Sequence, residues 1–178
     1  MSKKTNIVFQ GLKIVAWIIF VGLSVEAGGL IVNFIFSVFN PDVVDKLYQT
    51  LDLSAMYARS PWAFYGMYSF MLSIAILKAV LFYVVVMLVT KIDIERPFNQ
   101  YVSKQISLIS YFTFSIGLLS YIARETARNL QHKGYAIDAL DAFWDDSQAF
   151  ILMAAVIYVI ATIFSKGVEF QEELEATV

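Results

Sequence analysis

Cysteine is absent, and histidine occurs once, as His132. The lack of cysteine excludes disulfides, iron–sulfur clusters and thiol nucleophiles. A single histidine excludes His-rich zinc sites and a haem held by two histidines of one chain. Charge is scarce as well: Asp, Glu, Lys and Arg make up 16 % of the 178 residues, and the net charge is −2. That balance is too small to imply direct nucleic-acid binding. The chain carries no nucleophile elbow, no His-Glu metal-ligand pair and no phosphate loop. We therefore expect a protein with no enzymatic activity and no cofactor or metal.

What the chain has in abundance is apolar sequence. Hydrophobic residues make up 59 %, and the mean hydropathy is +0.67. The excess falls into a few long runs, the pattern of a polytopic membrane protein. Four spanning helices are expected, at about 14–39, 62–90, 106–123 and 147–164, each near the roughly 20 residues that cross about 30 Å of hydrocarbon. The basic start at Lys3, Lys4 and Lys13, with Val25-Glu26-Ala27 further on, loosely resembles a cleaved signal. The apolar run continues to Phe39, so we expect a retained first helix. The fold class is all-α, an integral four-helix bundle in one membrane domain.

Basic residues set the orientation. With the N-terminus inside, Lys3, Lys4, Lys13, Lys91, Arg96, Lys104 and Lys166 lie inside, and Lys46, Arg59, Arg124, Arg128 and Lys133 lie outside. The excess favours N-in and C-in. Residues 40–61 form the first outer loop, bounded by Asn-Pro and Ser-Pro turn signals. Val44, Leu47, Tyr48, Leu51 and Leu53 suggest a short amphipathic surface helix within it. Helices three and four are expected to extend outward as a hairpin around a His132-Lys133-Gly134 turn. Trp17, Trp62 and Trp144 read as interface anchors.

Two charges interrupt the runs. Glu26 lies as far beyond Lys13 as Lys78 lies before Lys91. At 1.5 Å per residue both sit roughly 20 Å from the inner boundary. An isolated charge at mid-membrane costs roughly 2.5–3.5 kcal/mol on insertion scales. A Glu26–Lys78 contact inside the bundle is the expected resolution, serving either as a structural ion pair or as part of an ion or proton path. Gly22, Glu26, Gly29 and Asn33 share one side of helix one, where small residues admit a close neighbour. Met71, Ile74 and Lys78 share a side of helix two, with Phe82 close to it.

An outer polar cluster is also expected. Ser107, Ser110, Gly117, Tyr121, Arg124 and Arg128 fall close to one side of helix three; Asp138, Asp141 and Asp145 follow i, i+3, i+7 spacing on the approach to helix four. Facing one another, they make either a surface salt-bridge ladder, each pair worth about 0–1 kcal/mol, or a pocket for an ionic ligand. Arg124 and Arg128 are spaced to clamp an anion. The serines of helix three are expected to bond back to their own helix or to a neighbour.

The ending Lys166-Gly167-Val168-Glu169-Phe170-Gln171-Glu172-Glu173-Leu174-Glu175-Ala176-Thr177-Val178 is an acidic, partly apolar tail over 167–178. It resembles the end of the small bacterial membrane proteins called domain of unknown function 2975, which typically close on a glycine, a Gln–Glu stretch and Thr-Val or Thr-Ile. The inner loop Arg96-Pro97-Phe98-Asn99 resembles that family's Pro-Phe turn before helix three, with Asn99 where many members have Ser. The resemblance brings no catalytic residue. Members are often encoded beside a small helix-turn-helix regulator, which implies a sensor or regulatory membrane partner. Arg96, Pro97, Phe98, Glu169, Gln171 and Glu172 are then the expected contact surface for a cytoplasmic regulatory protein. The rival expectation is a small transporter or channel subunit, assembled from several copies in the lipid bilayer and using Glu26 and Lys78.

Overall fold

The computed structural model describes residues 3–40, 51–93, 97–144 and 146–176. Arg96 and Asp145, and with them Val44, Leu47 and Tyr48 of the expected surface helix, lie outside the described residues. The described chain is helical: α1 Lys3–Phe39, α2 Ser54–Arg59, α3 Pro61–Lys91, α4 Gln100–His132, a 3-10 segment Asp138–Phe143 and α5 Ser147–Ala176.

The helix boundaries follow from local chemistry. The Ser60 hydroxyl accepts from the Ala63 amide at 3.3 Å, and Pro61 opens α3, where its missing amide hydrogen costs nothing. The Asn99 side chain accepts from the Val102 amide at 2.9 Å and caps α4. Asn and Ser are equivalent as N-caps, so Asn99 preserves what a serine would do there. At its far end α4 closes in a Schellman turn. The Gly134 amide donates to the Gln131 carbonyl at 2.8 Å and the Tyr135 amide to the Leu130 carbonyl at 3.1 Å. Gly134 has φ +81°, a conformation open to glycine.

Each long helix packs chiefly on its neighbour in sequence: α1 on α3, α3 on α4, and α4, most extensively, on α5. Outer helices of such a row keep much apolar surface exposed. In α1, Ile7, Ile14, Ile18, Val25, Val32 and Phe36 are all at least half exposed. In α5, Leu152, Val156 and Ile163 behave alike. Such surfaces are stable against lipid rather than water.

The α4–α5 seam is close because its residues are small. A Cβ on Gly117 would stand 2.7 Å from Ile151 Cγ1 and 2.9 Å from the Ile151 backbone nitrogen. Ser110, Ser120, Ala123 and Ala127 of α4, with Ala154 and Ala161 of α5, are buried. The Ser110 hydroxyl donates across the seam to the Ala154 carbonyl at 3.0 Å, and Ser107 bonds back to Ser103. The close approach expected at Gly22 therefore belongs to Gly117: a Cβ on Gly22 would meet nothing within 4 Å.

The packing face of α1 is also rotated from the one expected. Ala16, Ala27, Leu30 and Ser37 are buried, and Phe20 and Phe34 join them on that face. Phe20 lies 5.8 Å from the Tyr83 ring, Phe34 lies 5.4 Å from the Tyr68 ring, and Tyr68 donates to the Leu30 carbonyl at 3.0 Å. This face is one residue, about 100°, from the stripe of Gly22, Glu26, Gly29 and Asn33. Aromatic packing and tyrosine hydroxyls, rather than small and charged residues, select which side of α1 faces α3.

Candidate functional site

The molecule has two dissimilar ends. At the first, called here the cap end, lie α2, the start of α3 and the turn from α4 through the 3-10 segment. Leu51, Leu53, Met56, Phe64, Tyr68, Ala127, Ile137, Leu140 and Trp144 form a continuous core there. Leu51 and Leu53 are buried at 8 % and 3 % exposure, so they plug this core rather than float on a surface helix. Trp144 is 1 % exposed. It is a core residue and not an interface anchor, whereas Trp62 is 87 % exposed and Trp17 48 %. The buried Trp144 Nε1 and Ser147 Oγ find no partner among the described residues.

Arg59, the last residue of α2, ties this end together. Its guanidinium donates to the Gly134 and Lys133 carbonyls, both at 2.6 Å, and stacks 4.2 Å from the Tyr135 ring centre. The last carbonyls of a helix lack partners within it and carry the negative end of its dipole, so a guanidinium there satisfies both needs. Sequence reading gave Arg59 only a place in the orientation count. At the start of α2, the Asp52 carboxylate accepts from the Ser54 amide at 2.9 Å, and the hydrogen bonds from Ser54 hold that carboxyl below its usual range.

The expected outer polar cluster does not assemble among the described residues. Arg128 pairs with Glu125 of its own helix at 2.9 Å, and both are about half exposed. Tyr121 and Asp138 are exposed, and Arg124 and Asp141 are half-buried with no ion pair between them. The reason is backbone geometry. The aspartate segment is a 3-10 helix in which Asp138 and Asp141 share one side, and it is the side of Leu140 that turns into the core.

The intramembrane pair is likewise not formed. Glu26 and Lys78, both half-buried, make no ion pair. Lys78 falls in the buried stripe of Met71, Ile74 and Leu81 and directs its ammonium toward the Phe150 ring of α5, 5.9 Å from its centre. Equal depth was legible, but azimuth was not. α3 is flanked by α1 and α4, and Lys78 turns toward the α5 side, away from α1.

At the other end, the tail end, the structure brings two expected segments together. Phe98 stacks on Phe164 with ring centres 5.1 Å apart. Its ring lies over Gly167, where a Cβ would come within 2.7 Å of Phe98 Cδ1. Gln100 donates to the Glu172 carboxylate at 2.9 Å, and Lys166 to Glu169 at 2.6 Å. Val168 is buried while Phe170 and Leu174 are exposed. Tyr101 donates to the Met87 carbonyl at 3.1 Å, and Lys91 reaches over its ring at 5.8 Å. Pro97 and Gln171 belong to the same region, and α5 runs unbroken through the tail to Ala176. Beside the Gln100–Glu172 bond an open groove of about 580 Å³ is lined by Tyr101, Ser103, Lys104, Ser165, Glu169 and Glu172, among others. Among the described residues no three His, Cys, Asp or Glu side chains gather to hold a metal.

Four helices are long and apolar enough to cross a membrane: Ile7–Phe39, Pro61–Lys91, Gln100–His132 and the stretch Asp138–Leu174. That architecture is the class of multi-pass helical membrane proteins. Within it the chain belongs to the family described as "Protein of unknown function (DUF2975)", which matches residues 48–178. The match takes in everything from the cap end to the tail and begins after α1. No curated protein and no solved structure matches the chain.

Proposed function

We propose that this chain is a non-enzymatic regulatory membrane protein that passes a state of the bundle to a soluble partner through its tail end. In this reading the tail end is cytoplasmic, the N- and C-termini are both inside, and the membrane is the bacterial inner membrane. One observation carries the proposal: Phe98 seated against Phe164 and Gly167, with Gln100 bonded to Glu172, makes a single surface of the loop before α4 and the end of α5. A shift of α4 against α5 must alter that surface. It offers exposed Phe170 and Leu174 beside carboxylates of Glu169 and Glu172, a combination suited to an amphipathic, basic partner.

The test uses the full chain in detergent. Soluble proteins retained by the unaltered chain are compared with those retained by Phe170→Ser, Glu172→Lys. Loss of one defined partner, with elution volume and helicity unchanged, is the expected result. Identical retention by both chains contradicts the reading. Because the chain contains no cysteine, an introduced Glu173→Cys reports the orientation. It should react with an impermeant maleimide only after the membrane is opened.

A further inference from the structure

Two cavities lie along the α4–α5 seam. One is the polar groove of about 580 Å³ at the tail end, with Lys104 on α4 and Glu169 and Glu172 on α5. The other is an apolar crevice of about 320 Å³ lined by Ser110, Tyr111, Phe114, Ile151, Ala154, Ala155 and Tyr158. Helical periodicity puts both on one side of the seam. Gln100, Lys104, Tyr111 and Phe114 follow i, i+4, i+11, i+14 on α4; Ala155, Tyr158, Ser165, Glu169 and Glu172 follow i, i+3, i+10, i+14, i+17 on α5. Lys104 and Tyr111 are separated by about 10 Å along the helix axis, as are Tyr158 and Ser165. The crevice is therefore the membrane-ward continuation of the groove.

We propose that this side of the seam binds one phospholipid whose headgroup carries an amine. Lys104 is exposed and forms no ion pair among the described residues, so its ammonium is assigned to the lipid phosphate. Across the groove lie the carboxylates of Glu169, whose Oε2 pairs with Lys166 at 2.6 Å, and Glu172, whose Oε1 accepts from Gln100 at 2.9 Å; the second oxygen of each is assigned to the headgroup amine. One acyl chain lies along Phe114 and Ala155, between the exposed rings of Tyr111 and Tyr158. The charge order matches the ligand: a cation for the phosphate, carboxylates for the amine, and an apolar channel starting one lipid-headgroup length away. A phospholipid with a glycerol headgroup lacks the amine and places a polyol against the two carboxylates. A choline headgroup keeps the positive charge but has no N–H to donate to them.

The experiment is native mass spectrometry of the full chain in detergent, titrated separately with phosphatidylethanolamine, phosphatidylglycerol and phosphatidylcholine. One phosphatidylethanolamine is expected to bind at least about tenfold more tightly than either of the others. Lys104→Glu and Ala155→Trp each alter an exposed position, the first opposing the phosphate and the second filling the crevice. Each should weaken that binding about tenfold. Should Lys104→Glu fail to fold, Ala155→Trp decides alone. Equal affinity for the three lipids overturns the headgroup assignment, and unchanged binding by folded Ala155→Trp overturns the site.

Discussion

The two ends of the molecule do opposite things with the same materials, one glycine, one aromatic cluster and one long polar side chain each. At the cap end Gly134 makes a turn, Trp144 is enclosed, and Arg59 is fixed on two carbonyls and an aromatic ring. At the tail end Gly167 sits inside a helix and merely leaves room for Phe98, which stays 42 % exposed. The hydrogen bond between Gln100 and Glu172 is exposed too. The first end is closed on itself and stabilises the fold. The second is held by contacts that are easily exchanged, which suits a surface that changes with the bundle.

The largest effect that can break this comparison is at the cap end. Trp144→Ala empties an enclosed site and should cost about 3–5 kcal/mol, read as a fall in the thermal midpoint of the protein in detergent. A shift as small as that of an exposed aromatic such as Trp62→Ala would mean the cap end is not the stabilising one. Next come the two glycines. Gly134→Ala forces a side chain into a left-handed conformation and should cost about 1–2 kcal/mol. Gly167→Ala should leave the midpoint nearly unchanged, since about 0.5–1 kcal/mol of gained helix propensity offsets the displaced ring. If the two glycines cost the same, the ends are not different in kind. The smallest effect concerns the charges between the ends. Glu26→Gln and Lys78→Met should be additive within about 0.5 kcal/mol in a double-mutant cycle. A larger coupling would restore the ion pair that the structure does not form.

Much of this was legible in the sequence, and the pattern of what was not is instructive. The helices follow from long apolar runs, and the Ser60-Pro61 turn signal falls at the start of α3. The Pro97–Phe98 loop and the tail, which the family resemblance singles out, lie against each other through Phe98, Phe164 and Gly167. Azimuth was not legible. An apolar helix such as α1 is hydrophobic on all sides, so its few polar residues draw attention although Phe20, Leu30 and Phe34 decide the packing face. Asp138 and Asp141 share a side of the 3-10 segment, but the side turned into the core is that of Leu140, which the spacing of the aspartates does not disclose. Arg59 was missed because its partners are main-chain carbonyls more than seventy positions away, which no side-chain pattern announces. Gly167 had a signal: a lone glycine in a helical stretch marks a close approach.

The central claim is that the loop before α4 and the end of α5 form one surface. A chain without cysteine permits a direct measurement. With Gln100→Cys and Glu172→Cys introduced together, a short bis-methanethiosulfonate reagent applied to native membranes should cross-link them readily, and Phe98→Ala or a bulky residue at Gly167 should slow the reaction. Cross-linking no faster than in a pair placed at opposite ends, such as Gln100→Cys with Lys133→Cys, would contradict it.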